Sequence, residues 1–306
     1  MNIAVMGAGA IGAFYGARLA QAGETVTFIA RGPHLEAIRA NGLHIKSTFG
    51  DAHITDARAV NDPAEVGQVD LVLMTVKNYD LEGAARSIAP MVGPTTRILP
   101  LLNGVDIVER MGTVLDPGLI LGGFCSVASA IAEPGVIVQT GQLERICFGE
   151  MDGALSDSVQ AIGAAFKNSG VNVAVVQNIE QEIWGKFTFL APMAGVCSLV
   201  RGTMGPVQAD ADLWAMLGEA VREAIAVGRA KGVDIPADAE EKTVAMLQGF
   251  PQGAKPSMAL DLERGKPMEL DALNGTIVRM GERFGVPTPV NAFIYKALKL
   301  FRDGVG

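Results

Sequence analysis

A chain of 306 residues, 49% of them apolar, can bury a sizeable core and has the length of two domains rather than one. Its net charge of −8 excludes a surface built for nucleic acid or for an anionic membrane, both of which need basic patches, while leaving room for a local basic pocket that takes an anionic cofactor. Cys125, Cys147 and Cys197 are odd in number, widely spaced and set among apolar neighbours; with no CxxC and only His34, His44 and His53 beside them, they predict reduced core thiols of a cytoplasmic protein and no metal.

Residues 1–31 read as strand, glycine turn, helix and strand. In Gly7-Ala8-Gly9-Ala10-Ile11-Gly12 each glycine answers a separate steric demand. Gly7 suits a tight turn, Gly9 lets backbone approach a pyrophosphate, and Gly12 lets helix and strand pack closely, with helix N–H groups facing the phosphates. The plain alternative is an ordinary turn between strand and helix. An NAD site places Asp or Glu about 20 residues past the glycines, whereas NADP sites offer Arg to the 2′-phosphate. Ala30-Arg31 stands there with no carboxylate, so the expected cofactor is NADPH; otherwise Arg31 is a solvated loop residue. The first strand begins near Met1, which leaves no room for a signal peptide in the sequence as it stands. The uncharged stretch 117–132 is shorter than the ~20 apolar residues of a membrane span and carries glycine and serine.

Further along, residues 33–41 predict a helix closed by Gly42, and residues 44–56 two short strands around Phe49-Gly50-Asp51. Asp62-Pro63 starts a brief helix. The continuous apolar run 70–76 predicts a central parallel strand buried on both faces, ending in Lys77-Asn78 at the rim where ligands of open α/β sheets lie. Lys77 is therefore placed to meet cofactor or substrate, or is simply solvated. Another strand, 98–102, contains Pro100, which predicts a bulge, and ends in Asn103-Gly104, a turn former whose amide can also bind a ligand. Strands over 119–132, 136–140 and 145–148, antiparallel at the edge, a helix over 156–168 and a strand over 171–176 complete this half.

From residue 178 the pattern turns to helices: 179–194, 207–231, 238–248, 257–264, 270–284 and 291–301. The predicted organisation is α/β, a Rossmann-type doubly wound sheet in residues 1–177 followed by an all-helical substrate and catalytic domain in residues 178–306. In the first of these helices Ile183, Phe187, Leu190 and Ala194 form an apolar stripe, with Lys186 at its edge in line with Leu190 and Ala194. Most such lysines only extend along an apolar surface to reach water.

Taken together, these pieces resemble the ketopantoate reductase (2-dehydropantoate 2-reductase) family. The resemblance rests on Gly7 to Gly12, Ala30-Arg31-Gly32, Val76-Lys77, Leu102-Asn103-Gly104-Val105, Glu182-Ile183-Trp184-Gly185-Lys186, Lys255-Pro256-Ser257-Met258, and Glu269-Leu270-Asp271-Ala272-Leu273-Asn274-Gly275. It implies an NADPH-binding domain joined to a helical domain like that of 6-phosphogluconate dehydrogenases. Lys186 is then the general acid, Glu269 lies near it and near the substrate, and Asn103 and Ser257 contact substrate or cofactor. The implied reaction is reduction of a 2-oxo acid, ketopantoate to pantoate first, as in pantothenate biosynthesis. A hydride reaching the 2-oxo carbon creates an alkoxide that an ammonium can stabilise and protonate. Leu190 and Ala194 replace asparagines usual in the family, and Ala254 another, which opens the alternative of a less polar 2-oxo acid. Two further readings stand beside it: a 3-hydroxy acid dehydrogenase of the same architecture and a non-catalytic NADPH sensor, against which the retention of Lys186 and Glu269 counts. The expected partner is a small 2-oxo acid, with no nucleic acid and no membrane, and a homodimer is left open.

Overall fold

The structure, a computed structural model, describes residues 1–304. They form two compact units: one comprises Met1–Leu102 and Ile107–Ile179, the other Asn103–Asp106 with the chain from Glu180 onward.

In chain order the first unit contains β1 (Asn2–Met6), α1 (Ala10–Gln21), β2 (Thr25–Ile29), α2 (Gly32–Asn41), β3 (Leu43–Ser47), β4 (Ala52–Ile54), β5 (Arg58–Val60) and β6 (Leu71–Met74). It continues with α3 (Leu81–Ser87), β7 (Arg97–Pro100), α4 (Ile107–Met111), β8 (Gly122–Glu133), β9 (Val136–Gly149), α5 (Asp157–Asn168) and β10 (Val173–Val175). Among the described residues one sheet has the order β5-β2-β1-β6-β7, parallel throughout. Its two faces explain the continuous apolar runs. Ile3 and Val5 of β1 and Leu71 and Leu73 of β6 join one core with Phe14, Tyr15 and Phe28, while Ala4, Met6, Val72 and Met74 join another with Leu81 and Ile88. Strand order reverses at β1, so the carboxyl ends of β1 and β6 flank the switch point, where such sheets bind their ligands.

Pro100 needs no bulge. It ends β7, the last strand of this sheet, in regular register opposite Met74, and the next N–H, from Leu101, bonds the Met74 carbonyl at 2.9 Å. The proline nitrogen therefore faces away from β6, where no donor is required.

The second sheet has the order β10-β9-β3-β4, with β8 antiparallel to β9. The predicted strands 136–140 and 145–148 are one strand. Glu144 pairs with Val127 and Thr140 with Ala128, so residues 141–143 bulge out of the ribbon and leave Leu143 exposed. Helix α1 packs against β1 and β2 of the first sheet and β4, β8 and β9 of the second.

That packing depends on Gly12. A methyl group there would stand 2.3 Å from Thr75 Oγ1 and 2.5 Å from the Gly7 carbonyl oxygen, and the backbone atom cannot turn aside. Gly12→Ala is therefore expected to lower stability by about 1–3 kcal/mol despite alanine's better helix propensity, a loss readable as a fall of several degrees in melting temperature. An unchanged melting temperature would show that helix and strand have room to part.

The second unit contains α6 (Ile179–Leu199, its first residue belonging to the other unit), α7 (Met204–Ala209), α8 (Ala211–Lys231), α9 (Ala239–Gln248), α10 (Ser257–Glu263), α11 (Asn274–Phe284) and α12 (Pro289–Leu298). The predicted helix 207–231 is broken at Asp210, whose extended backbone ends α7 and whose carboxylate accepts the N–H groups of Asp212 at 3.0 Å and Leu213 at 2.9 Å to cap α8. Residues 270–273, expected to be helical, form a turn before α11. Helix α6 runs through Pro192 to Leu199, and Trp184, Phe187, Ala191, Met193, Ala194, Val196 and Cys197 all lie in the core. From Ala191 to Ser198 every residue is buried and only Ser198 is polar, the pattern of a helix segment enclosed by protein. Among the described residues no helix is long and apolar enough to cross a membrane.

Candidate active site

The turn between β1 and α1 separates the three glycine demands. Gly7 has φ +93°, and a Cβ on it would lie 2.9 Å from Val76 Cγ1. Gly12 is held against β1 and Thr75, as above. Gly9 differs, because a Cβ there would meet nothing within 4 Å. It is the N-cap of α1, and no side chain caps it. The Ala8 N–H bonds the Ile29 carbonyl at 2.8 Å, and Ala10, Ile11 and Gly12 open the helix. Thr75, which sequence reasoning passed over as part of an apolar run, donates its hydroxyl to the Gly7 carbonyl at 2.8 Å and so ties the exit of β6 to the turn.

Arg31 is exposed at the end of β2 as the N-cap of α2. Lys77, half-buried, follows β6 and begins a short 3₁₀ turn at Asn78. That turn is clamped from α4: Arg110 donates to the Asn78 carbonyl at 2.9 Å, to Asn78 Oδ1 at 3.2 Å and to Glu82 Oε1 at 2.7 Å. The guanidinium holds the Glu82 carboxyl below the usual carboxylate range. Arg110 carries no motif, so only its partners reveal it.

In the helical unit three predicted residues come together. Lys186 donates from Nζ to Asn103 Oδ1 at 2.9 Å, and Asn103 Nδ2 points to Glu269 Oε2 at 3.5 Å. This orientation of the amide is the chemically sensible one, since the reverse would set NH₂ against an ammonium and oxygen against a carboxylate. Glu269 is buried, and its main-chain carbonyl closes the turn by accepting the N–H groups of Ala272 and Leu273, each at 3.1 Å. Asn103 belongs to a short strip of chain held by Asp106, whose Oδ2 lies 3.4 Å from the Thr276 hydroxyl and 3.6 Å from Arg279 Nη2. Nothing in the sequence marks Asp106 except its closeness to Asn103.

The remaining predicted residues divide. Ser257 is exposed at the first position of α10, with Pro256 as N-cap. Lys255 beside it pairs with Glu263. Leu190 is half-buried against the helical core. Ala194, at 1% exposure, lies within that core. Of the two residues in line with the half-buried Lys186, Leu190 alone keeps accessible surface, because the later part of α6 is enclosed by protein.

A parallel doubly wound sheet with a glycine turn at its switch point, followed by a helical unit in which a lysine is held by an asparagine beside a glutamate, defines a nucleotide-dependent oxidoreductase. The family model described as Ketopantoate reductase PanE/ApbA matches residues 3–153, and that for the family's C-terminal part matches residues 178–302. The chain belongs to the ketopantoate reductase family and is an NADP-dependent oxidoreductase of the 2-dehydropantoate 2-reductase type. A 2-dehydropantoate 2-reductase of Mesorhizobium japonicum is 31% identical to it over 94% of each chain. An uncharacterized oxidoreductase of Bacillus subtilis, YkpB, is 29% identical over 98% of this chain and 99% of its own. The crystal structure of a family ketopantoate reductase from Ralstonia eutropha superposes with a TM-score of 0.90 at 30% identity, covering 99% of this chain and 98% of that one.

Proposed function

We propose that this enzyme reduces 2-dehydropantoate (ketopantoate) to pantoate, a step of pantothenate biosynthesis, with Lys186 as the proton donor. The observation that carries the reading is the hydrogen-bonded array Lys186, Asn103, Glu269. The first unit fits the cofactor: open space beside Gly9 and the uncapped start of α1 suit a pyrophosphate held by the backbone of Gly7, Ala8, Gly9, Ala10, Ile11 and Gly12. Arg31 and Lys77 would meet the phosphates of its adenosine half, and Asn103 is assigned to cofactor as well as substrate. When bound, NADPH supplies a hydride to the 2-oxo carbon.

This chain's residues do the rest. The substrate oxygen takes up negative charge, which the Lys186 ammonium stabilises and then neutralises by giving up a proton. Asn103 aims that ammonium through Oδ1, and Glu269 favours its charged form. The exposed Ser257 hydroxyl offers a donor to the substrate carboxylate. Leu190 favours a second reading, reduction of a less polar 2-oxo acid, since it presents no hydrogen-bond partner to a substrate hydroxyl. NADPH oxidation measured across a panel of 2-oxo acids tests both. Ketopantoate is expected to turn over, with deoxy analogues within about tenfold of it, the worth of one neutral hydrogen bond. A preference for an analogue that lacks the hydroxyl would favour the second reading, and no turnover of any 2-oxo acid would leave the dehydrogenase or sensor readings.

The glycine turn gives a paired test. Gly9→Ala is expected to weaken NADPH binding with little change in melting temperature, the opposite of Gly12→Ala, because its methyl group enters space that only a ligand would fill. NADPH titration of both variants checks this, and unchanged affinity in Gly9→Ala would place the pyrophosphate elsewhere.

A further inference from the structure

A buried polar chain threads the helical unit. The Glu223 carboxylate of α8 accepts the N–H of Val290 at 2.7 Å on Oε1, and on Oε2 the N–H of Asn291 at 2.9 Å and Asn291 Nδ2 at 2.7 Å, so it holds the first turn of α12. Asn291 Nδ2 also donates to the Ala220 carbonyl at 3.1 Å, and its Oδ1 accepts from Asn274 Nδ2 at 2.9 Å. Asn274 Nδ2 reaches in turn to the Ala191 carbonyl of α6 at 3.3 Å. Asn274 and Asn291 are both 0% exposed.

Asn274 is only partly satisfied: its Nδ2 bonds Asn291 Oδ1 and the Ala191 carbonyl, while its Oδ1 is buried with no hydrogen-bond partner. Space for it is also specially made: a Cβ on Gly195 of α6 would lie 2.7 Å from Asn274 Nδ2 and 2.8 Å from Oδ1. The amide thus lies flat against the helix that carries Lys186. On its other side Asn274 is the first residue of α11, directly after the turn that begins at Glu269, and the Gly275 N–H binds that turn through the Leu270 carbonyl at 2.9 Å.

We propose that Asn274 is a positioning residue: by bridging the Ala191 carbonyl and Asn291, it fixes the Glu269 turn against the lysine helix and so sets the reach of the Lys186, Asn103, Glu269 array. Its bearing on turnover rests on the reading of Lys186 as proton donor. The Asn103 to Glu269 contact, at 3.5 Å, is at the outer limit of a hydrogen bond, so a shift of a few tenths of an ångström in the turn breaks it. Charged neighbours of Lys186 then matter. Glu182, one turn earlier on α6, stays with the helix, whereas Glu269 moves with the turn.

The test compares Asn274→Ala with Leu217→Ala, a cavity in the same core on α8. Lysine labelled with ¹³C at Cε, with Lys186 assigned through Lys186→Arg, reports the Lys186 titration without substrate. Asn274→Ala is expected to lower its midpoint by about half a pH unit or more, because a carboxylate that withdraws no longer favours the ammonium; Leu217→Ala leaves it in place. With NADPH and ketopantoate, Asn274→Ala is expected to lower kcat about tenfold at nearly unchanged NADPH affinity, and Leu217→Ala to keep kcat within about twofold. If Asn274→Ala does not fold, Gly195→Ala displaces the same amide with both asparagines retained, and the same shift is expected. An unmoved Lys186 midpoint in a folded Asn274→Ala or Gly195→Ala protein overturns the proposal. Failure of the unmodified enzyme to reduce any 2-oxo acid overturns only the functional reading, and the midpoint still decides the placement.

Discussion

Lys186→Ala is expected to lower kcat for 2-oxo acid reduction by about 10²- to 10⁴-fold, the range found for removal of a positioned general acid. The array explains the size of the effect. Lys186 is the only cation in the trio with Asn103 and Glu269, so alanine removes both the stabilising charge and the proton, leaving the Asn103 oxygen and the Glu269 carboxylate around a developing alkoxide. NADPH affinity is expected to change little, since the glycine turn, Arg31 and Lys77 belong to the other unit. A fall in kcat and kcat/KM together, with the NADPH dissociation constant intact, is the signature of an interaction made in the transition state. Near-normal turnover would remove Lys186 from the chemistry.

Arg31→Ala is expected to separate the two nicotinamide cofactors. A hydrogen bond to a charged group contributes about 1.5–3 kcal/mol, roughly 10- to 150-fold in affinity. Arg31 is exposed, so solvent screening sets the expected loss for NADPH near the lower end, about tenfold. NADH has no 2′-phosphate and should lose less than about twofold. Fluorescence titration of both nucleotides reads the difference, and equal losses would mean that Arg31 does not meet the 2′-phosphate.

How far the sequence could be read depended on the range of the interactions involved. The glycine turn was legible because its constraints are local: Gly7 turns, Gly12 packs on Thr75 and β1, and Gly9 stays open within a few residues of each other. Lys186 and Glu269 came through short motifs, yet what Asn103 does to them is visible only in the fold. The turn at 270–273 read as helix because Leu270, Leu273 and Ile277, all buried, keep an apolar spacing that a helix shares with a tightly wound turn. The same spacing misplaced Ala194: a stripe identifies an inward face only where another face is polar, and the later part of α6 is enclosed. Asp106 had no local signal, and the motif that contains Asn274 said nothing of its role. Their partners, Thr276 and Arg279 for one and Ala191 and Asn291 for the other, lie far away in the chain, and each pairing exists only once the helices have packed. The bulge that exposes Leu143 was hidden for a related reason, since residues 141–143 interrupt an alternation that the partner strand β8 carries across the gap.

The most direct test of the proposed reaction follows the hydride itself. The enzyme is incubated with ketopantoate and NADPH deuterated at C4 of the nicotinamide on the face it uses, each face being supplied in turn, and the product is analysed by mass spectrometry. Pantoate carrying one deuterium at C2, obtained from one face only and lost in parallel with turnover in Lys186→Ala, is the predicted result. Pantoate without label from either face, or no pantoate formed, would contradict it.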